Sequence, residues 1–450
     1  MNTSSGRHRR HDNDEVPPVG APGTEDVLQP DESSDSLGTP RHAASATTRP
    51  SPWNRRRDRA AAALIAVVAL TAALLVWAFS DSHATSQETS AEPPALPPAP
   101  DTVPATLTEL WQAPSPATPV PVSEGASVVT GAGGEVAGRD PLTGDVRWHY
   151  TRDLELCTVA GAWSRALAVY RKDTGCSEVT QLDPGTGRRT AQRNGDAELG
   201  TRLVSDDGHV TATGQHLLNT WRNDLVKSLE YGQVYAPIQP DRQPRTGCTY
   251  GTVAAAASRV GVIEHCPDET GARLTVVKAV GKEADTPEEE FTALLPGRSA
   301  QLVAMTPNDL AVMLPEQQEL LLFDSDGTQR AVYPLDLPTT DLQREPEGGV
   351  VPTAQGTENV YWFTGSRTMA LSQADLRPQW TLNDTLGPGT VFAGQYVVPI
   401  NGGLAVLDET TGTTIRTVGV DRGAYRGPVE LAAAGPVLLE QRGGTVVALR

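Results

Sequence analysis

One short pattern keeps returning along this chain of 450 residues. An apolar run ends in an aspartate and a turn follows: EVAGRD at 140, VTQLD at 183, LLLFD at 324, MALSQAD at 375 and LAVLD at 408. HLLNTW from 216 and LTVVKAV from 274 hold the corresponding places in two further repeats. The step from Asp140 to Asp183 is 43 residues, and the chain beyond Asp140 has room for seven such steps. A period of ~40 to 50 residues holding four short strands marks β-propeller blades, because one such unit cannot bury both its faces alone. The repeat excludes a single sandwich or a Rossmann domain.

The fullest copy of the turn is D-P-L-T-G-D-V-R-W, from Asp140 to Trp148. Asp140 can cap the turn through its side chain, Thr143 can hydrogen-bond locally, and Gly144 can take a positive φ. Trp148 then falls on the next strand, with a large apolar face free to pack on a neighbouring blade. This D-x-x-T-G-x-x-x-W pattern resembles the tryptophan-docking motif of PQQ-like β-propellers, the repeat shared by quinoprotein alcohol dehydrogenases and BamB-like proteins. The resemblance covers about residues 105–450. Asp140, Thr143, Gly144 and Trp148 match in full, while Asp183, Thr186, Gly187 and Asp408, Thr411, Gly412 match without the tryptophan. Asp375 and Trp380 keep the two ends and drop the threonine-glycine pair.

The expected fold is therefore all-β, a propeller of eight blades with seven as the alternative. The blades are placed near 125–150, 157–193, 200–231, 246–282, 298–334, 350–382, 390–418 and 429–450. The C-terminal VLLEQRGGTVVALR supplies strands but lacks an outer one. LTELWQA at 107–113 has the look of that missing strand, with Trp111 in the docking place, so the two chain ends are expected to close one blade together and leave no free edge.

Ahead of the repeats the chain changes character twice. Residues 1–59 are rich in Ser, Thr, Pro, Asp and Arg with almost no apolar cluster, a mixture expected to stay disordered. Residues 60–79, AAAALIAVVALTAALLVWAF, carry no charge and match the ~20 residues that cross a bilayer as a helix. Arg55, Arg56, Arg57 and Arg59 precede this span and no basic cluster follows, which puts the N terminus in the cytoplasm and the repeats outside, on a single-pass anchor at the cell membrane. A cleaved signal peptide ending near Ser82-His83-Ala84 is the rival reading. Residues 80–104 are proline-rich, and extended polyproline II at ~3.1 Å per residue makes them an extracytoplasmic stalk of some ~70 Å.

All four cysteines, Cys157, Cys176, Cys248 and Cys266, lie beyond the span, where an oxidising compartment permits disulfides. Cys157 and Cys248 are each followed by threonine, an apolar segment and a second cysteine. That parallel favours Cys157 with Cys176 and Cys248 with Cys266, each bridge stapling one repeat to itself. Zinc is the alternative, and no CxxC spacing supports it.

Charge and motifs then narrow the chemistry. The tail to residue 59 balances nine arginines against nine acids, so the net charge of -18 belongs to the part beyond it. Such a surface repels nucleic acid. The quinoprotein resemblance implies PQQ on the propeller axis, a calcium ion and adjacent cysteines, yet no two cysteines here are adjacent. Asp324-Ser325-Asp326-Gly327 starts like a calcium loop and lacks the later ligands, so it reads as a hairpin turn, as does Asp206-Asp207-Gly208. Gly131, Gly133 and Gly134 open no helix, and His83, His149, His209, His216 and His265 have no metal-site spacing. The acidic stretch from Glu283 to Glu290 reads as a solvated loop. No catalytic, cofactor or metal residue is assigned. The expectation is a non-catalytic, membrane-anchored extracytoplasmic propeller that scaffolds envelope proteins, with a ligand or cell-wall polysaccharide sensor and a PQQ-dependent dehydrogenase as alternatives.

Overall fold

The computed structural model describes residues 55–78, 80, 83–206 and 208–450. The tail expectation for residues 1–54, and Asp207, lie outside them. Two units are distinguished, and the first holds most of the helix Arg56–Ala78, 23 residues that are apolar and long enough to cross a membrane. The helix begins four residues before the expected span. Backbone hydrogen bonding carries it through the arginine cluster.

The second unit contains eight antiparallel sheets of four strands each, one of them extended by a fifth strand. In chain order they form blades I to VIII, and each expected blade coincides with one sheet. Blade V shows how sequence becomes strand. Its second strand, Asp309–Leu314, reads DLAVML and is buried throughout, whereas its outer strand, Gln329–Pro334, alternates exposed and half-buried residues. The two middle strands of a blade have a neighbouring blade on each face and so read as near-unbroken apolar runs, whereas the outer strand of blade V, with one face wet, keeps the period of two.

Burial follows the ring. The buried apolar side chains fall into eight clusters, and each spans one pair of adjacent blades. The cluster joining blades VIII and I contains Trp111, Val128, Val437 and Val446. It exists because the N-terminal strand Glu109–Pro114 pairs with the C-terminal strand Thr445–Leu449, completing blade VIII. Ring closure thus couples the two ends of the chain and removes the edge that an open ring would expose.

In six of the eight blades an outer-strand side chain docks on the next blade. Trp148 donates its Nε1–H to the Pro184 carbonyl at 2.8 Å and lies against Gly187. Trp111 does the same to Pro141 at 2.9 Å and Gly144, and Trp380 to Glu409 at 3.0 Å and Gly412. Phe291 packs on Gly327. Two interfaces invert the arrangement. Where the docking residue is Ala191 or Ala331, the facing turn carries Leu225 or Leu376 at positive φ, and each leucine is buried in the same cluster as its alanine. Volume lost on one blade is restored on the other, as close packing requires.

This geometry corrects one alignment. In blade VI the turn is closed by Leu376 N–H to the Ser372 carbonyl at 2.8 Å, the counterpart of Gly144 N–H to Asp140 at 2.8 Å. Ser372 therefore stands where Asp140 does, and Asp375 takes the place of Thr143.

A second difference concerns the proline-rich segment. Instead of standing free, it is laid on the propeller. Thr85–Glu88 pairs with Val146–Arg152 as the fifth strand of blade I. Ser90 N–H then donates to the Thr186 carbonyl at 3.0 Å, Leu96 joins the cluster between blades VIII and I, and Val103 N–H reaches Gln395 Oε1 at 3.1 Å. Val103 is 2% exposed. Apolar residues interleaved with the prolines give the segment something to bury, which composition alone does not reveal. It ends at Arg416, the blade VII docking position, whose guanidinium donates to the carbonyls of Val103 and Pro104.

Candidate functional site

The two faces of the ring differ in chemistry. On one, called here the turn face, lie the hairpins between first and second strands and the aspartate turns. Asp140 Oδ1 accepts from Leu142 N–H at 2.7 Å and Thr143 N–H at 3.2 Å, and burial is outweighed by these bonds and by Arg147, which hold its carboxyl below the usual range. The same capping recurs at Asp183 and Asp408. Asp324 caps its own hairpin, accepting from Asp326 N–H at 3.1 Å and Thr328 N–H at 2.8 Å. These aspartates spend their lone pairs on their own turns. Across this face runs the 85–104 segment, touching turns of blades II, I, VIII and VII.

The opposite, crossover face carries the second-to-third-strand hairpins and the blade-to-blade connections. Both disulfides sit at this end. Cys157 is bonded to Cys176 and Cys248 to Cys266. The first joins the inner strand of blade II to its third strand, and the second joins the start of the inner strand of blade IV to the end of the second. Each staples one blade, though at inequivalent positions. Three buried carboxylates at this end, Glu178, Glu264 and Glu440, are answered by Arg152, Arg245 and Arg422.

Between blades III, IV and V this face opens into a cavity of about 640 Å³. Its floor holds Thr213, Gln215, Tyr250 and His265, and Gly214 and Gly251 place bare main chain in the wall. The connection between blades V and VI forms its roof. That loop reaches back to blade III, where Thr213 Oγ1 donates to the Gly348 carbonyl at 2.7 Å and Arg202 pairs with Glu347 at 2.7 Å. Gly348 and Gly349 both have positive φ, and a Cβ on Gly349 would lie 2.4 Å from the Gly251 carbonyl. Only glycine lets the loop close so tightly. Gln301 Nε2 fixes the loop through the Arg344 carbonyl at 2.7 Å, and Arg344 lies 5.3 Å from the Phe363 ring centre.

His265 is half-buried, and burial, reinforced by the Arg298 guanidinium and opposed by Glu345, holds its imidazole below the ordinary value. It is therefore neutral at pH 7, able to donate at one nitrogen and accept at the other. Tyr250 is pushed well up by burial, so its phenol stays protonated. A second cavity of about 440 Å³ adjoins the first through Leu199 and Gln215, and Asp173, Asp196, Glu198 and Tyr235 line it.

The other histidines have simpler partners: His149 faces Glu88 at 3.7 Å, His209 faces Asp206 at 3.6 Å and His216 faces Glu198 at 3.3 Å. The stretch from Glu283 to Glu290 departs from its solvated reading. Asp285 is buried and accepts from Gln239 N–H at 2.9 Å, while Glu288 and Glu289 pair with Lys278 and Arg245. The cavity itself was missed, because no two of its lining elements form a motif; the VIEHC string around His265 offers no signal beyond its cysteine.

For the quinone and calcium implied by the motif's resemblance, the residues do not fit. All four cysteines are consumed in nonadjacent pairs, and among the described residues no three His, Cys, Asp or Glu side chains are placed to hold a metal ion.

No protein-family model and no curated protein sequence matches the chain. Solved structures do. The computationally designed Ika8 protein superposes with a TM-score of 0.51 at 15% identity, covering 76% of this chain and 98% of its own. BamB from Moraxella catarrhalis gives 0.47 at 14% identity, over 77% of this chain and all of BamB. Quinohemoprotein alcohol dehydrogenase from Comamonas testosteroni gives 0.47 at 11%, over 77% of this chain and 76% of that one. At such identities what is shared is architecture, and with eight four-stranded blades closed by both chain ends, the chain is an eight-bladed β-propeller.

Proposed function

We infer that the protein is a membrane-anchored, extracytoplasmic propeller that acts as a non-catalytic interaction scaffold in the cell envelope, and that it engages its partner through the crossover face. The observation that carries this reading is the unequal use of the two faces. The turn face consists of short self-capped turns and is crossed by the chain's own 85–104 segment. The crossover face carries the long connections and both cavities. Loops displayed on a rigid frame are where binding surfaces concentrate. The apolar helix Arg56–Ala78 supports the anchor, and the two disulfides support an oxidising compartment.

In-cell photocrosslinking of the full-length chain tests it. A photoreactive residue at Ser299, on the crossover face, is expected to capture a defined envelope protein, and one at Asp326, on the turn face, is expected to capture none. Absence of any adduct from Ser299, or adducts only from Asp326, overturns the reading.

A further inference from the structure

The two adjoining cavities of the crossover face are lined mainly by charge of one sign. Their lining contains five carboxylates, from Asp173, Asp196, Glu198, Glu316 and Glu345, against one guanidinium, Arg298. The imidazole of His265 is neutral. Some of the acids are already answered within the fold: Asp196 by Lys227 at 2.9 Å, and Glu198 by His216. Arg298 is turned aside to the Glu269 carbonyl at 3.0 Å. The lining thus offers acceptors to an incoming cation and little to an anion.

Shape and apolar surface narrow the occupant. Leu199, 54% exposed, stands on the wall between the cavities, and Tyr235, 75% exposed, stands at the edge of the second. Two connected hollows with an apolar residue between them suit an extended chain, which can point alternate side chains into pockets and set its main chain against the polar wall. Gln215, Thr213 and the main chain at Gly214 and Gly251 supply that wall. Tyr250, whose ring is stacked on Tyr231 at 5.5 Å, is the lining aromatic of the larger cavity and has no open face for a sugar ring.

We propose that these cavities form one groove for a basic, extended peptide segment of the partner, with lysine or arginine side chains at Asp173, Glu316 and Glu345 and an apolar side chain against Leu199. The proposal rests on the scaffold reading above and adds the chemistry of what is bound. The net charge of -18 steers a cationic segment towards the protein, and the groove decides where it docks.

The test uses the full-length chain in detergent micelles and a fluorescein-labelled decapeptide that alternates lysine with serine around a central leucine. Fluorescence anisotropy is expected to show binding that weakens with added salt, and no binding of the same peptide with glutamate in place of lysine. The combined variant Asp173→Asn, Glu316→Gln, Glu345→Gln is expected to weaken binding at least tenfold with an unchanged melting temperature, since all three residues are exposed. A control pair away from the groove, Glu288→Gln with Asp326→Asn, should change it less than twofold. Equal loss in the control means diffuse attraction and overturns the groove, as does failure of the lysine peptide to bind. If that peptide fails while Ser299 crosslinks persist in cells, the scaffold reading stands and the basic-peptide assignment falls.

Discussion

The indole of Trp148 lies flat against Gly187 of the next blade, with its Nε1–H on the Pro184 carbonyl at 2.8 Å. Gly187 has φ 74°, and a Cβ there would lie 2.5 Å from Trp148 Cδ2. Gly187→Ala should cost about 1–3 kcal/mol from backbone strain and overlap. Trp148→Ala should cost about 3–5 kcal/mol. Because the overlap vanishes with the indole, the double variant should lose less than the sum, which urea unfolding of the two singles and the double measures.

The inverted interface makes an exchange possible. Ala191 faces the turn that carries Leu225. Ala191→Trp should overpack this interface and lower the melting temperature, and adding Leu225→Gly should recover most of the loss. Failure of the second change to rescue the first would show that the two positions do not trade volume.

Arg416 ties the end of the proline-rich segment to blade VII through the carbonyls of Val103 and Pro104. Arg416→Ala leaves those acceptors unanswered, at a cost of about 1–3 kcal/mol. Limited proteolysis should then cut within residues 89–104 faster than in the unaltered chain, while the rate of cleavage in the blade III to IV connection stays constant.

The bridge between Cys248 and Cys266 closes a short loop, 18 residues apart in sequence. Replacing both by serine should cost about 3 kcal/mol in the chain-entropy model. Non-reducing peptide mapping should recover the 157–176 and 248–266 pairs and no others.

Glu430, on the inner strand of blade VIII, has its carboxyl pushed up to about 8 by burial, with Arg344 pulling the other way. In the unfolded chain a glutamate titrates near ~4.3. The folded state therefore holds the proton more tightly, and its contribution to stability is full below about pH 4.3, falls as pH rises and is lost above about pH 8. The side chain keeps some exposure, so the slope is a fraction of the ~1.4 kcal/mol per pH unit of a wholly buried group. Glu430→Gln should match the unaltered protein at pH 4 and exceed its melting temperature at pH 8; parallel curves would refute the assignment.

Much of this was legible in the residues. The 43-residue step, the place of each blade and the closing strand at Trp111 follow from turn chemistry and from the apolar runs that fall between turns, and both disulfide pairs follow from the parallel contexts of Cys157 and Cys248. Blade VI shows the limit. With Ser372 in the capping place and Leu376 in the glycine's, Asp375 looked like the capping residue, and only the bond from Leu376 N–H to Ser372 sets the alignment.

Local burial and turn geometry repeat along the chain, so the sequence by itself determined the repeat, the closure of the ring and the stapling of two blades. The tertiary structure decided the rest. It laid residues 85–104 across one face, where prolines alone predicted a free stalk, and it gathered Gln215, His265, Arg298 and Glu345 from separate blades around one cavity. Such contacts join positions far apart in sequence, and no periodicity records them, because each residue meets its neighbours only after eight independent blades have packed into a circle.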